Sequence, residues 1–179
     1  MIKNLPEGHI IDTMIKEHHH ILNILDELND ISRELSIIPI ENTKKLLIRI
    51  NTLSLKLINA EPHHQREEQV LFPALEKEGI MGATSCMRKE HESIRLMKNR
   101  LKNKTMTIDM ITKSDIINIM LIINDLCDTL RLHIEKENTI LYPFSLQKIN
   151  DDAVWVEMKK QCDDIGYCCF HPVKEAVSI

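Results

Sequence analysis

Apolar residues along this chain recur at steps of three and four rather than two, the spacing that puts them on one face of an α-helix. The first such stripe spans about Ile11 to Ile31 and reads Ile11, Met14, Ile21, Leu25 and Leu28, with His18 filling the gap on the same face. A second begins near Thr43, after Pro39, and passes through Leu46, Ile50, Leu53, Leu57 and Ala60 to His63, Glu67, Leu71 and Ala74. Glu78-Gly79 predicts its end, because glycine takes the left-handed conformation that closes helices. The third pattern starts at Thr84 or Ser85 and runs to Lys104, with Met87, His91, Ile94 and Leu101 inward. Thr112 and Asp115 have the spacing of a capping box. They open a fourth stripe through Ile116, Ile119, Ile123, Leu126, Leu130, His133, Glu137 and Ile140. A shorter fifth pattern runs from Asp152 to about Asp163, carrying Val154, Trp155 and Met158.

Four long amphipathic segments with modest connections predict an all-α fold, an antiparallel four-helix bundle with a short additional C-terminal helix. On this reading residues 1–150 form the bundle, and 151–179 are a C-terminal helix and Cys-containing tail packed on it or extending from it. The chain also repeats itself. Met14-Ile15-Lys16-Glu17-His18 matches Met87-Arg88-Lys89-Glu90-His91. His63-His64-Gln65-Arg66-Glu67, followed by Leu71-Phe72-Pro73, matches His133-Ile134-Glu135-Lys136-Glu137, followed by Leu141-Tyr142-Pro143. The two histidine offsets are 73 and 70 residues. The chain therefore reads as two helical hairpins, each carrying one lone histidine and one His-x-x-x-Glu.

Composition narrows the picture further. With only four glycines and six aromatics among 179 residues, Leu, Ile and Met must fill the core. A formal charge of -4 offers no basic footprint for nucleic acid. No apolar run reaches membrane-spanning length and no signal-peptide core precedes Ile11, so the expected location is cytoplasmic, with no membrane partner. Five cysteines, three of them in the last eighteen residues, do not make a disulfide framework. Nine histidines are a surplus that needs a chemical explanation.

Residues four apart on a helix lie one above the other, so His63 and Glu67 aim at one patch of core, as do His133 and Glu137. Two carboxylates in one apolar interior repel each other unless cations lie between them. A pair of metal ions resolves this: the two glutamates bridge, the four imidazoles complete the ligands, and an open position remains for a small molecule. The repeat selects His18 over His19 and His20, and counting back from Leu-Phe-Pro and Leu-Tyr-Pro selects His63 over His64. His19, His20 and His64 are then surface groups or hydrogen-bonding neighbours of the ligands. Glu17 and Glu90, each next to a lone histidine, either temper the charge of the site or face solvent. Pro73 and Pro143 lack an N–H and are expected to kink or end the ligand-bearing helices just past the site. Pro62 either bends the second helix at the metal or is merely tolerated in it.

The segments around His18, His63 to Pro73, Glu90-His91 and His133 to Pro143 resemble the hemerythrin-like, or HHE cation-binding, family over roughly residues 9 to 145. The resemblance implies a non-haem di-iron centre, two iron ions with an oxo or hydroxo bridge, whose ligands map to His18, His63, Glu67, His91, His133 and Glu137. It further implies that His18 and His63 serve one iron, His91 and His133 the other, and that both glutamates bridge. Oxygen carriers of the family use a fifth histidine one turn beyond the third-helix ligand, where this chain has Arg95. Its six-residue set is similar instead to that of di-iron proteins of nitrosative stress and iron-sulfur cluster repair. Those commonly carry a small N-terminal cysteine-bearing domain, for which the residues before Ile11 leave no room.

Function then divides into two classes. One is a protein binding or sensing O2 or NO at an open iron position. The other is a di-iron oxidoreductase handling NO, peroxide or O2, with a redox partner protein, or an iron-sulfur cluster repair protein. No separate acid-base residue is assignable, so the pattern leaves open whether the protein is an enzyme. A ferritin-like ferroxidase needs Glu-x-x-His on two helices and lone glutamates on the others. Glu17-x-x-His20 and Glu61-x-x-His64 supply that spacing, but both histidines leave the apolar stripes. A helical structural protein without metal is the remaining class. Cys162, Cys168 and Cys169 with His171 could bind a soft metal or take part in thiol redox, but their spacing matches no strong motif, so the cysteines are read as packed or unpaired thiols, and Cys86 and Cys127 as ordinary helix residues.

Overall fold

The computed structural model describes residues 5–106 and 111–168. Among them the regular structure is helical throughout, with no strand. Helix α1 (Ile10–Leu35) starts on His9, whose Nδ1 accepts from the Ile11 N–H at 3.2 Å, and runs one turn beyond its expected end. A turn holding Pro39 leads to α2 (Lys44–Asn59). After a break at Ala60, the chain continues as α3 (Glu61–Arg66), a one-turn π-helical segment (Glu67–Leu71) and α4 (Phe72–Lys77). Helix α5 (Met81–Lys104) is followed by α6 (Lys113–Lys136), a second π-helical turn (Glu137–Leu141), α7 (Tyr142–Lys148) and α8 (Asp152–Ile165).

The terminators are those their chemistry favours. Gly79 adopts φ +82°, its N–H bonds to the Glu76 carbonyl, and the Ile80 N–H reaches back to Leu75, so α4 closes on a paired glycine cap. Thr112 and Asp115 form the reciprocal capping box at the start of α6. Helix α5 begins at Met81, ahead of the expected Thr84. The Thr84 hydroxyl is buried, donating to Glu76 Oε1 at 2.7 Å, and serves as an anchor rather than a cap.

Helix α1 packs against α2 and α6, and α5 against the same two, so the long helices enclose a common interior. Helix α8 lies across α1, α3 and the first π turn. The core has two apolar parts. One is built from Leu25, Leu28, Ile50, Leu53, Ile119, Ile123 and Leu126. The other gathers Ile11, Met14, Leu71, Phe72, Leu75, Tyr142 and Met158. Between them runs a layer of buried polar side chains.

Both π turns change the register read from periodicity. Each inserts one residue into the helical repeat, so the inward position after Glu137 is Leu141, and Ile140, expected inward, is 65% exposed. Phe72 and Leu75, rather than Ala74, line the core beyond Glu67, and Leu47 rather than Leu46 opens the inward stripe of α2. Pro73 and Pro143 therefore do not end their helices. The wider turn accommodates them, with the Phe72 and Tyr142 N–H groups bonding back to Glu67 and Glu137. Arg88 Nη2 donates to the Glu68 carbonyl at 3.1 Å, the acceptor five residues before Pro73. Pro62 sits at the start of α3, just past the break at Ala60.

Candidate metal centre

The polar layer is built from residues on four stretches of chain: His18 on α1, His63 and Glu67 at the end of α3, His91 on α5, and His133 and Glu137 at the end of α6. All six are buried. His18 Nε2 lies 3.0 Å from His63 Nε2, and His91 Nε2 lies 3.0 Å from His133 Nε2. Glu137 spans the two pairs, with Oε2 3.2 Å from His18 Nε2 and Oε1 2.8 Å from His133 Nε2. Glu67 Oε2 stands 3.4 Å from His91 Nε2 and 3.7 Å from His63 Nε2. Three groups have the separations a metal needs: His18, His63 and Glu137; Glu67, His91, His133 and Glu137; and His64, His91 and His133.

The outward nitrogen of each imidazole of the two close pairs is held by an acceptor. His63 Nδ1 donates to Glu17 Oε2 at 2.8 Å and His133 Nδ1 to Glu90 Oε2 at 2.8 Å. His18 Nδ1 donates to Asn138 Oδ1 at 2.9 Å and His91 Nδ1 to Glu68 Oε1 at 2.7 Å. These contacts obey the internal repeat. The glutamate preceding each lone histidine holds the histidine of the following His-x-x-x-Glu, and the residue after each core glutamate holds a lone histidine of the other hairpin. Such contacts orient imidazoles and direct their second nitrogens inward. Glu17 is itself buried and paired with Arg66, while Glu90 is paired with Lys136. Burial works to raise the Glu17 carboxyl, but His63 and Arg66 overcome it and hold it near a pKa of about 2.

What faces the centre is therefore a set of lone pairs. With Nδ1–H committed outward, each neutral imidazole presents an unprotonated Nε2, and two such nitrogens 3.0 Å apart cannot bond to each other. Glu67 Oε2 and both oxygens of Glu137 are buried without a hydrogen-bond partner. Positive charge is favoured there. Burial works to lower the His91 pKa, yet Glu137, Glu67 and Glu68 raise it to about 11, and His18 and His133 are raised by the same core carboxylates. Metal cations suit the donor set equally well. A nitrogen ligand lies roughly 2.1 Å from a divalent first-row ion, which puts two adjacent nitrogens on one octahedral ion about 3.0 Å apart. The clusters of histidine and glutamate thus fit a di-iron site.

Several neighbours were not legible from spacing. Tyr142 stacks beside His18 with ring centroids 5.6 Å apart, and its hydroxyl donates to Glu67 Oε1 at 2.8 Å. Burial and the two core glutamates push its pKa well above the usual range, so it remains a donor. Its repeat counterpart, Phe72, stacks on His91 at 5.8 Å and offers no hydroxyl. Arg95 turns away from the centre and pairs with Glu61 and Glu68 at 2.8 and 2.9 Å. Lys98 is buried on the inward face of α5, where desolvation lowers its pKa to about 8. Its position continues the stripe of Ile94 and Leu101, but a lysine there breaks the apolar pattern, so the stripe is read without it.

The flanking histidines separate. His19 and His20 are exposed, as expected of surface groups. His64 is not a surface group: it is 3% exposed and stacks on His91, ring centroids 4.0 Å apart. The stripe argument that excluded it assumed an unbroken second helix, whereas the chain re-enters at Glu61 after the break at Ala60. In the tail, Cys162 is buried, with its thiol pushed up to about 12 by desolvation. Cys168 Sγ donates to Glu17 Oε1 at 3.3 Å. Cys127 is buried and Cys86 exposed, while Cys169 and His171 lie outside the described residues. Among the described residues, none of the three metal-capable groups includes a cysteine, and no helix is long and apolar enough to cross a membrane.

Set beside known proteins, residues 9–145 match the family model described as the Hemerythrin HHE cation binding domain. No curated relative matches the chain.

Proposed function

The chain belongs to the hemerythrin HHE cation-binding family, whose model spans well over half of it, and from that premise we propose that the protein is a non-haem di-iron protein that binds or senses a small gas or oxidant, O2 or NO. His18 and His63 would hold one iron and His91 and His133 the other, with Glu67 and Glu137 shared between them. The long helical segments form the antiparallel four-helix bundle expected for such a centre, with residues 1–150 as the metal-holding unit and 151–179 as a C-terminal helix and tail packed on it or extending from it. The observation that carries this reading is the convergence of inward nitrogens on three buried carboxylate oxygens that have no hydrogen-bond partner. When bound, the iron pair would supply a ferrous–ferric couple and a Lewis-acidic centre for a small ligand.

The chain's own part is to position, exclude water and set charge. Glu17, Glu68, Glu90 and Asn138 fix the imidazole orientations. The two apolar clusters on either side of the layer keep bulk water out. Tyr142 keeps one oxygen of Glu67 hydrogen-bonded, while the other faces the centre. Arg95, committed to Glu61 and Glu68, provides no ligand at the position where oxygen carriers have a histidine, which supports the NO-responsive side of the reading. The nearest alternative is turnover, as a di-iron oxidoreductase or a cluster-repair protein. It draws its support from the Tyr142 hydroxyl, a protic group beside the core carboxylates.

Anaerobic reduction of the iron-loaded protein, followed by separate exposure to O2, NO and peroxide under optical and electron-paramagnetic observation, tests the proposal. A species that reverses on removing the gas is expected for binding, and repeated consumption of the oxidant establishes the enzyme instead. An iron spectrum indifferent to all three overturns both.

A further inference from the structure

The internal repeat lets each half of the centre serve as a control for the other. Glu17 and Glu90 hold equivalent places before the lone histidines, and each accepts from the imidazole of a His-x-x-x-Glu. Their cationic partners, Arg66 and Lys136, are equivalent too, each standing just before a core glutamate. A third carboxylate, Glu68, accepts from His91 Nδ1 at 2.7 Å and from Arg95 Nη1 at 2.9 Å on the same oxygen. Three of the four imidazoles thus lean on a glutamate that a cation neutralises.

At the fourth imidazole both charges are absent together. Glu68 corresponds to Asn138 in the repeat, and Arg95, four residues past His91, corresponds to Leu22, four past His18. His18 Nδ1 donates to the uncharged Asn138 amide, and among the described residues no lysine or arginine bonds to that amide. Leu22 packs on the apolar core instead. The fold therefore accepts an uncharged pair at this place. Stability alone does not call for the ion pairs either, since hydrocarbon of similar size does as well as a buried salt bridge. Arg66 is nevertheless buried, and Arg95 and Lys136 partly so. What all four imidazoles share is an acceptor group with no net charge.

We infer that Arg66, Arg95 and Lys136 act through these glutamates to keep the shell around the imidazoles electrically neutral, which holds up the reduction potential of the bound metals. This rests on the di-metal reading above and sharpens it. A carboxylate with unanswered charge draws on the Nδ1 proton, makes the imidazole a stronger donor and favours the more highly charged, oxidised metal. The paired cation offsets that pull. The reduced pair, the form suited to a neutral gas, is thereby favoured.

The iron-loaded full chain, titrated anaerobically with dithionite in the presence of redox mediators, tests this through an equilibrium rather than through turnover. Lys136 is the cleanest site. It bonds to Glu90 Oε1 while His133 bonds to Oε2, so its removal leaves the contact of the imidazole in place. Lys136→Gln should shift the one-electron equilibrium toward the oxidised pair by about tenfold, a fall of about 59 mV, the Coulomb effect of one charge at a partly exposed site. Arg95→Leu, which copies Leu22, should shift it the same way, although Arg95 also bonds to Glu61. Glu90→Gln should shift it in the opposite direction, and Glu90→Gln/Lys136→Gln should return to within about twofold of the wild type. Loosened packing cannot produce that return, because two losses of packing would add. Single variants that all stay within about twofold of the wild type, or a double variant further from it than either single, overturn the inference and leave the di-metal reading intact. Loss of that reading itself appears differently, as a wild type that takes up no pair of irons or as undiminished uptake by His63→Ala.

Discussion

Among individual residues, burial separates side chains that look alike in sequence. His63→Ala and Glu137→Ala each remove a group that faces the centre, and metal analysis of anaerobically purified protein should show iron occupancy falling at least severalfold in both. His20→Ala, at an exposed site on α1, should retain wild-type occupancy. Equal occupancy in all three would remove the ligand assignment. Lys98 shows burial acting on stability. Desolvation lowers its pKa from 10.5 to about 8, with Glu61, Cys168 and Glu137 pulling upward and Arg95 downward. A buried ammonium group of this kind costs roughly 3 kcal/mol at neutral pH, because the unfolded chain binds the proton more tightly than the folded one. Between about pH 8 and 10.5 the unfolded state carries more protons at this residue, so this contribution makes the metal-free protein more stable as pH rises through that window. Lys98→Met should stabilise the metal-free protein at pH 7 by about 1–3 kcal/mol and abolish that rise, as urea unfolding at a series of pH values would show. A mutant profile parallel to that of the wild type would mean that Lys98 is solvated.

Among the helices, the two π turns are where the molecule departs most from its periodicity. Both occur at a core glutamate followed by Leu-aromatic-Pro, and both bury that leucine; Val70 before Leu71 is buried as well, whereas Ile140 before Leu141 is exposed. Leu141→Ala, which empties a buried site, should cost about 2–5 kcal/mol, whereas Ile140→Ala on the exposed face should stay within about 0.5 kcal/mol. Denaturant midpoints for the pair decide the register, and the reverse order would restore a regular helix through Glu137. The helices, the Gly79 cap and the Thr112 capping box were legible because each depends on local chemistry that neighbouring residues specify. The six side chains gathered in the polar layer were legible because the repeat presents them twice. The π turns were not, since a one-residue insertion leaves no mark in composition and shows only as a shifted stripe. The burial of His64 was hidden for a related reason: it depends on the break at Ala60, which rotates α3 relative to the stripe of α2.

Across the interior as a whole, the centre is a polar layer that cuts the core in two. The part built on Leu25, Leu53 and Leu126 is extensive and held by four long helices. The smaller part depends on Leu71, Phe72, Leu141, Tyr142 and Met158, and α4 and α7 reach it directly from the turns that carry Glu67 and Glu137. Metal bound in the layer would therefore tie the smaller part to the larger through those two glutamates. A ligand present at about a hundred times its dissociation constant stabilises the folded state by about 2.7 kcal/mol, which for a chain of this size raises the melting temperature by roughly 5–10 °C. Chelation should reverse that gain, and unevenly. Hydrogen exchange should accelerate in α4, α7 and α8, while amides around Leu25–Ile31 and Ile119–Ile123 retain the protection of global unfolding. The single tryptophan, Trp155, lies on α8 with its Nε1 donating to the Ile149 carbonyl at 2.9 Å, so its fluorescence should follow the faster phase. Exchange that quickens equally everywhere would show that the metal stabilises only the global fold, and that the two halves of the interior unfold as one.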